Sequence, residues 1–151
     1  MIVGSICRHG VVTVTQGADL VAAARLMREK HVGYLVVVEP ATRTQRSQII
    51  GVLTDRDIVV AVVAREIDPR TLTVGDAMTR DPLYADEGDT LEGTLNRMRH
   101  LGVRRVPVVG NDGELRGVLS LDDALDALAD QLSSIAGVIR NEQRAERAVR
   151  A

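Results

Sequence analysis

Aromatic side chains are almost missing from this 151-residue chain, which has two tyrosines, Tyr34 and Tyr84, and no Phe or Trp. Folds that bind RNA or single strands stack bases on such rings, so that class is excluded. An excess of one charge is missing too. Nineteen Lys and Arg stand against 21 Asp and Glu, a formal net charge of −2, without the basic footprint of a general nucleic-acid binder. The longest apolar run, Ile58 to Ala64, is seven residues, against roughly 20 for a membrane-spanning helix. No basic stretch leads into an apolar one at Met1 to Ile6, so no secretory signal is read and a cytoplasmic address is expected. The single cysteine, Cys7, forms no internal disulfide and reads as a plain thiol. His9, His31 and His100 show no metal-ligand spacing, so no metal site is expected. No activated nucleophile or paired carboxylates are readable either, and the chain is expected to be a non-enzyme that requires no cofactor.

What the chain does have is a repeat. Val3-Gly4-Ser5-Ile6-Cys7 matches Val74-Gly75-Asp76-Ala77-Met78 at an offset of 71 residues, and the offset continues through Gly17/Gly88, Leu20/Leu91, Met27/Met98 and Val37/Val108. It then shortens to 66, aligning Gly51-Val52-Leu53-Thr54 with Gly117-Val118-Leu119-Ser120. The five extra residues of the first copy fall in polar 39–47, a longer surface hairpin, where the second copy turns through Gly110-Asn111-Asp112-Gly113. Each copy reads as a short extended piece (11–15; 83–85) and then an amphipathic helix opened near Asp19 or Thr90. Two valine-rich strands follow (34–38 with 49–53; 105–109 with 114–119), then a second helix (55–64; 121 to about 139). Continuous hydrophobicity implies strands covered on both faces. A unit of this size is marginal alone, so the two copies are expected to pack together around one core.

These residues resemble the tandem CBS-domain pair, or Bateman module. The likeness rests on Val-Gly-Asp-Ala-Met-Thr-Arg-Asp-Pro at 74–82, Gly-Val-Arg-Arg-Val-Pro-Val-Val at 102–109, and the doubled Gly-Val-Leu-Thr/Ser-x-x-Asp at 51–57 and 117–123. The resemblance implies a mixed α/β (α+β) fold of two β-α-β-β-α repeats, 3–66 and 74–130, packed with pseudo-two-fold symmetry; the residues beyond them, 131–151, read as a C-terminal helical extension. It also implies two clefts that bind adenosine-containing ligands such as AMP, ADP, ATP, S-adenosylmethionine or NAD, and a regulatory role.

Candidate ligand residues follow from the motifs. Thr54 and Ser120 sit where a strand enters a helix, where a hydroxyl and free N–H groups favour phosphate. Asp57 and Asp123 can accept hydrogen bonds from a ribose diol, and Arg56 would neutralise phosphate. The same Thr/Ser-x-x-Asp pattern also makes a capping box, which binds nothing. Arg104 and Arg105 are candidates for a polyanion contact or for a solvated rim. Gly33 opens space for adenine, whose edge the backbone of Leu35 and of Val12-Thr13-Val14 would read; Tyr34 stacks on the base or shields the sheet. Leu83, Tyr84 and Pro107 hold the corresponding places in the second copy, and Pro107, lacking N–H, is expected at an edge or bulge. The two tyrosines are expected at matching or near-matching sheet positions.

Leu121, Leu125, Leu128, Leu132, Ile135 and Ile139 line one side of the last helix, to pack across the module or against a second subunit. The tail from Arg140 reads as a solvated helix end or a basic docking segment. The expected protein is a free-standing homodimeric sensor of adenine nucleotides that signals to an effector protein. A ligand-free scaffold is the alternative.

Overall fold

The computed structural model describes residues 1–150. After a 3-10 turn at Val3–Ser5, the first repeat forms β1 (Thr13–Val14), α1 (Leu20–Lys30), β2 (Tyr34–Glu39), β3 (Gln48–Thr54) and α2 (Asp55–Ile58), which continues as a π-helical turn at Val59–Val63. The second forms α3 (Val74–Ala77), β4 (Thr79–Arg80), β5 (Ala85–Asp86), α4 (Leu91–Leu101), β6 (Arg105–Val109), β7 (Leu115–Ser120) and α5 (Leu121–Arg150). The strands make two sheets, ordered β1-β2-β3-β4 and β5-β6-β7. In both, the hairpin register shifts at the same place, between Val37 and Val38 and between Val108 and Val109.

The repeat in sequence is not the unit of packing. The lead-in segment of each copy leaves its own half and completes the other. Val3 and Gly4 donate to the carbonyls of Asp89 and Glu87 at 2.9 and 2.8 Å, and Arg8 exchanges two 3.0 Å backbone bonds with Val118. Reciprocally, Val74 and Gly75 donate to Ala18 and Gln16, each at 2.9 Å, and β4 pairs with β3. Val3 and Cys7 therefore belong to a core with Ala85, Leu91, Met98, Val106, Val108 and Leu119, whereas Val74 joins Leu20, Met27, Leu35, Val37 and Leu53. This corrects the expectation of one shared core: there are two, each closed by a segment from the other copy.

Strand alternation explains how the halves meet. Leu35 and Val37 fill one core and Val106 and Val108 the other, so Tyr34 with Val36, and Arg105 with Pro107, project from the opposite sheet faces. The Arg105 guanidinium lies 6.0 Å from the centre of the Tyr34 ring, which shows that these faces oppose each other. Pro107 departs from expectation. It is buried in β6, the middle strand of its sheet, with the bulge one residue later. Its missing N–H is tolerated because β5 is so short that Pro107 lies before the parallel pairing begins at Val108.

Thr90 caps α4 by accepting from the Gly93 N–H at 3.1 Å, but Asp19 makes no side-chain cap on α1. The last helix is 30 residues long, continuing through the tail to Arg150.

Candidate ligand-binding cleft

The largest difference between the halves lies in how their two motif aspartates are held. At the junction of β7 and α5, Ser120 Oγ accepts the Asp123 N–H at 3.1 Å, while Asp123 Oδ2 accepts the Ser120 N–H at 3.1 Å and its hydroxyl at 2.5 Å. Oδ1 of the same carboxylate accepts Arg8 Nε at 2.5 Å. Burial pushes the Asp123 carboxyl up, but the hydrogen bonds from Ser120 and Arg8 outweigh it and hold the group below the usual range. At the junction of β3 and α2, Thr54 and Asp57 exchange the same two bonds, at 2.8 and 3.0 Å. No described residue forms an ion pair with Asp57. The residue matching Arg8 is Thr79. Both motifs are thus capping boxes, and the second carries an arginine latch as well.

A cleft of about 380 Å³ opens over the second motif, where the two halves meet. Its walls include Val11, Val12, Val32, Tyr34 and Val118, and its polar groups include Arg8, His9, His31, Arg105, Ser120, Asp122 and Asp123. Volume and composition suit a small ligand with one apolar and one anionic end. The Tyr34 hydroxyl is buried with no hydrogen-bond partner, a costly state unless something meets it. Burial pushes its ionisation well above the usual range, against the opposing pull of Arg105, so it is a neutral donor.

The candidate residues do not all gather there. Val12, Gly33, Tyr34, Arg105, Ser120 and Asp123 line the cleft. Thr13 faces a different hollow with Gly10 and Arg116, while Val14 packs against the core that holds Leu35 and Leu83 against the one that holds Val106. Leu35 is fully buried in β2, which has a strand on either side, so neither its side chain nor a free strand edge is offered to a base. Gly33 is not open space: a Cβ there would come within 2.6 Å of the Asp55 carboxylate, which fills the position. Tyr84 is 52% exposed beside Gln48 and Asn111, in a hollow separate from the one Tyr34 lines, so the two tyrosines do not match. Arg56 and Arg104 are exposed and are not among the lining residues of the cleft. Pro107 acts through what it lacks. Val36 N–H bonds the Val12 carbonyl at 3.2 Å, and Pro107 cannot repeat that bond to Leu83.

Arg8, His9, His31 and Asp122 were not singled out by motif. For Arg8 the signal was available in the repeat offset, which sets an arginine, Arg8, in one copy against Thr79 in the other. It carried no meaning until the exchanged lead-in segment placed Arg8 against the opposite copy's motif.

The CBS domain family model matches residues 3–64 and again 74–130, and the chain belongs to that family, carrying the domain twice. Hypoxic response protein 1 of Mycobacterium tuberculosis is 36% identical over 118 residues, 78% of each chain. A crystal structure of that protein with two coordinated zinc ions superimposes with a TM-score of 0.70 at 33% identity, covering 83% of this chain and 98% of that one. A putative signal-transduction protein with CBS domains from Burkholderia ambifaria gives 0.75 at 28% identity, covering 87% and 96%. The CBS domain pair of protein MJ0100, in complex with 5′-methylthioadenosine and S-adenosyl-L-methionine, shares the fold at TM-score 0.74 and 20% identity, covering 87% and 98%. An uncharacterised relative from Methanopyrus kandleri, MK0525, is 29% identical, and the match spans 82% of this chain but 60% of that longer protein. Among the described residues no helix is long and apolar enough to cross a membrane, and no cluster of His, Cys, Asp and Glu could hold a metal ion.

Proposed function

We propose that this CBS pair is a cytoplasmic, non-catalytic sensor that binds an adenosine-containing ligand between its halves and, as a homodimer, passes the bound state to an effector protein. One observation carries the reading: a single valine-walled cleft holds a buried Asp123 carboxylate bonded by Arg8 and the unpartnered Tyr34 hydroxyl, with Arg105 beside the Tyr34 ring. Ribose hydroxyls would meet Asp123, the base would lie against Val12, Val32 and Tyr34, and phosphate would draw on Arg8 and Arg105. At the first motif, Thr54, Arg56 and Asp57, with Arg104, would act on a second ligand, and the unengaged Leu83 carbonyl would be free to accept an exocyclic amine. Ligand then favours one mutual arrangement of the halves by its difference in affinity for the two.

A melting-temperature screen with AMP, ADP, ATP, S-adenosylmethionine and NAD tests this, backed by mass spectrometry of co-purifying small molecules. A ligand at 100 times its Kd stabilises by about 2.7 kcal/mol, a shift of several degrees for a chain of this length. Asp57→Ala with Asp123→Ala should abolish the shift; an unchanged shift overturns the residue assignment. The capping boxes at both motifs favour a second reading, a ligand-free scaffold, and a flat screen against all five compounds would select it.

A further inference from the structure

Helix α5 outruns the body it starts from. Its buried residues are Asp123 and Ala124, and from Gln131 to Arg150 every residue except Ala136 and Gly137 is exposed. Large apolar side chains are among them: Leu132 is 68% exposed, Ile135 58% and Ile139 51%, continuing a row begun by Leu125 at 64% and Leu128 at 41%. A projecting helix of this length, with Ser133, Ser134 and Gly137 in its course, is marginal in water without packing.

We propose that this face is covered by the α5 helix of a second copy of the chain, running antiparallel. The inference rests on the homodimer of the proposed function and gives it a surface and a direction. Leu121, Leu125, Leu128, Leu132, Ile135 and Ile139 advance by alternating steps of four and three, the spacing of a coiled-coil seam. The series reads the same from either end about Asp130. An antiparallel pair therefore sets Leu125 opposite Ile135 and Leu128 opposite Leu132, and brings Ile139 to the start of the partner helix, where Leu121 is half-buried against the core that holds Val106.

Charge selects the direction. Residues 121–139 hold four aspartates and no Lys or Arg, whereas 140–150 hold four arginines and two glutamates. Parallel pairing puts like beside like along the whole length. Antiparallel pairing about Asp130 brings Arg140 within two residues, about 3 Å along the axis, of Asp122. At 100° per residue both lie on the same flank of the seam, and a two-fold axis brings that flank against its own copy. The pair forms twice, and because Asp122 lines the cleft, each sits at a cleft mouth.

The test is light scattering on the full chain combined with spin-label distances from Glu142→Cys, Cys7 being 7% exposed and sheltered from the label. A dimer with labels about 36 Å apart along the helices supports the proposal; labels separated by little more than the helix spacing of about 10 Å overturn it in favour of a parallel pair. Leu132→Glu with Ile135→Glu should raise the dimer dissociation constant about tenfold or more while leaving the body folded by circular dichroism. An unchanged constant places the interface elsewhere, for instance on exposed Val59, Val60 and Val63, which overturns this inference and leaves the homodimer standing. A monomer at every concentration overturns both. Asp122→Arg and Arg140→Asp should each weaken the dimer severalfold, and combining them in one chain should restore it.

Discussion

The two halves share strand order, hairpin bulge and capping box, yet they treat the same aspartate differently. Asp57 is bonded to Thr54 alone, whereas Asp123 is bonded to Ser120 and clamped by Arg8 from the other repeat's lead-in segment. Exchange of lead-in segments makes this difference possible: residue 8 reaches motif two, and residue 79 reaches motif one. Pseudo-symmetry supplies two equivalent places, and a single residue in each decides how open the carboxylate is.

The exchange itself is the most sensitive point. Gly117 and Gly51 match in the repeat, and each lets the foreign segment lie against its strand. A Cβ at Gly117 would meet the Arg8 carbonyl oxygen at 2.5 Å and Cys7 sulfur at 3.0 Å; at Gly51 it would meet Met78 sulfur and the Thr79 carbonyl oxygen, each at 2.8 Å. Gly117→Ala should lower stability in urea unfolding by about 2 kcal/mol, near the middle of the overpacking range. Gly51→Ala should cost less, since the backbone oxygen it meets lies at 2.8 Å against 2.5 Å at Gly117 and the Met78 side chain can swing aside. Equal losses would show that the lead-in segments are held alike.

Next in size is the latch. Arg8 competes with ribose for Asp123 but can turn to a phosphate once released, its side chain being 74% exposed. Arg8→Thr, which gives the second motif the residue found at the first, should strengthen adenosine binding severalfold and weaken ATP binding. Calorimetry with both ligands reads the opposite signs. Changes of the same sign would make Arg8 a simple wall of the cleft.

Much of this was legible in the residues. The offset of 71 and the valine runs gave both hairpins, and the doubled Thr/Ser-x-x-Asp gave both capping boxes. What stayed hidden depended on contacts between segments distant in sequence. That Val3 packs with Leu119 and not with Leu53 leaves no mark in a local pattern, because the two lead-in segments are nearly alike. Gly33 misled for a related reason. The missing side chain does make room, but its occupant is Asp55 from the following helix start, which spacing alone does not show. Pro107 was read by the rule for sheet edges, and the short β5 strand explains why a central position tolerates it.

A smaller effect separates the two capping boxes in stability. Asp57→Asn should cost about 0.5 kcal/mol or less, because the amide oxygen can still accept the Thr54 N–H and only the charge at the helix start is lost. Asp123→Asn should cost somewhat more, by the part of the Arg8 contact that solvent does not screen, which for a pair with one exposed partner is below about 1 kcal/mol.

The finest test is the pH dependence of that second loss. Because the folded state holds the Asp123 carboxyl below its usual range, its stabilising contribution is fully present above the unfolded value of about 3.9. It is lost as pH falls through the lower folded value, where both states bind the proton. The stability gap between the wild type and Asp123→Asn should therefore be flat from pH 7 to 5 and narrow only below about pH 4. Urea midpoints at each pH measure it. If the gap instead narrows between pH 7 and 6, the linkage belongs to a group other than Asp123, and the asymmetry between the motifs would then reside in the cleft wall and not in the carboxylate Arg8 holds.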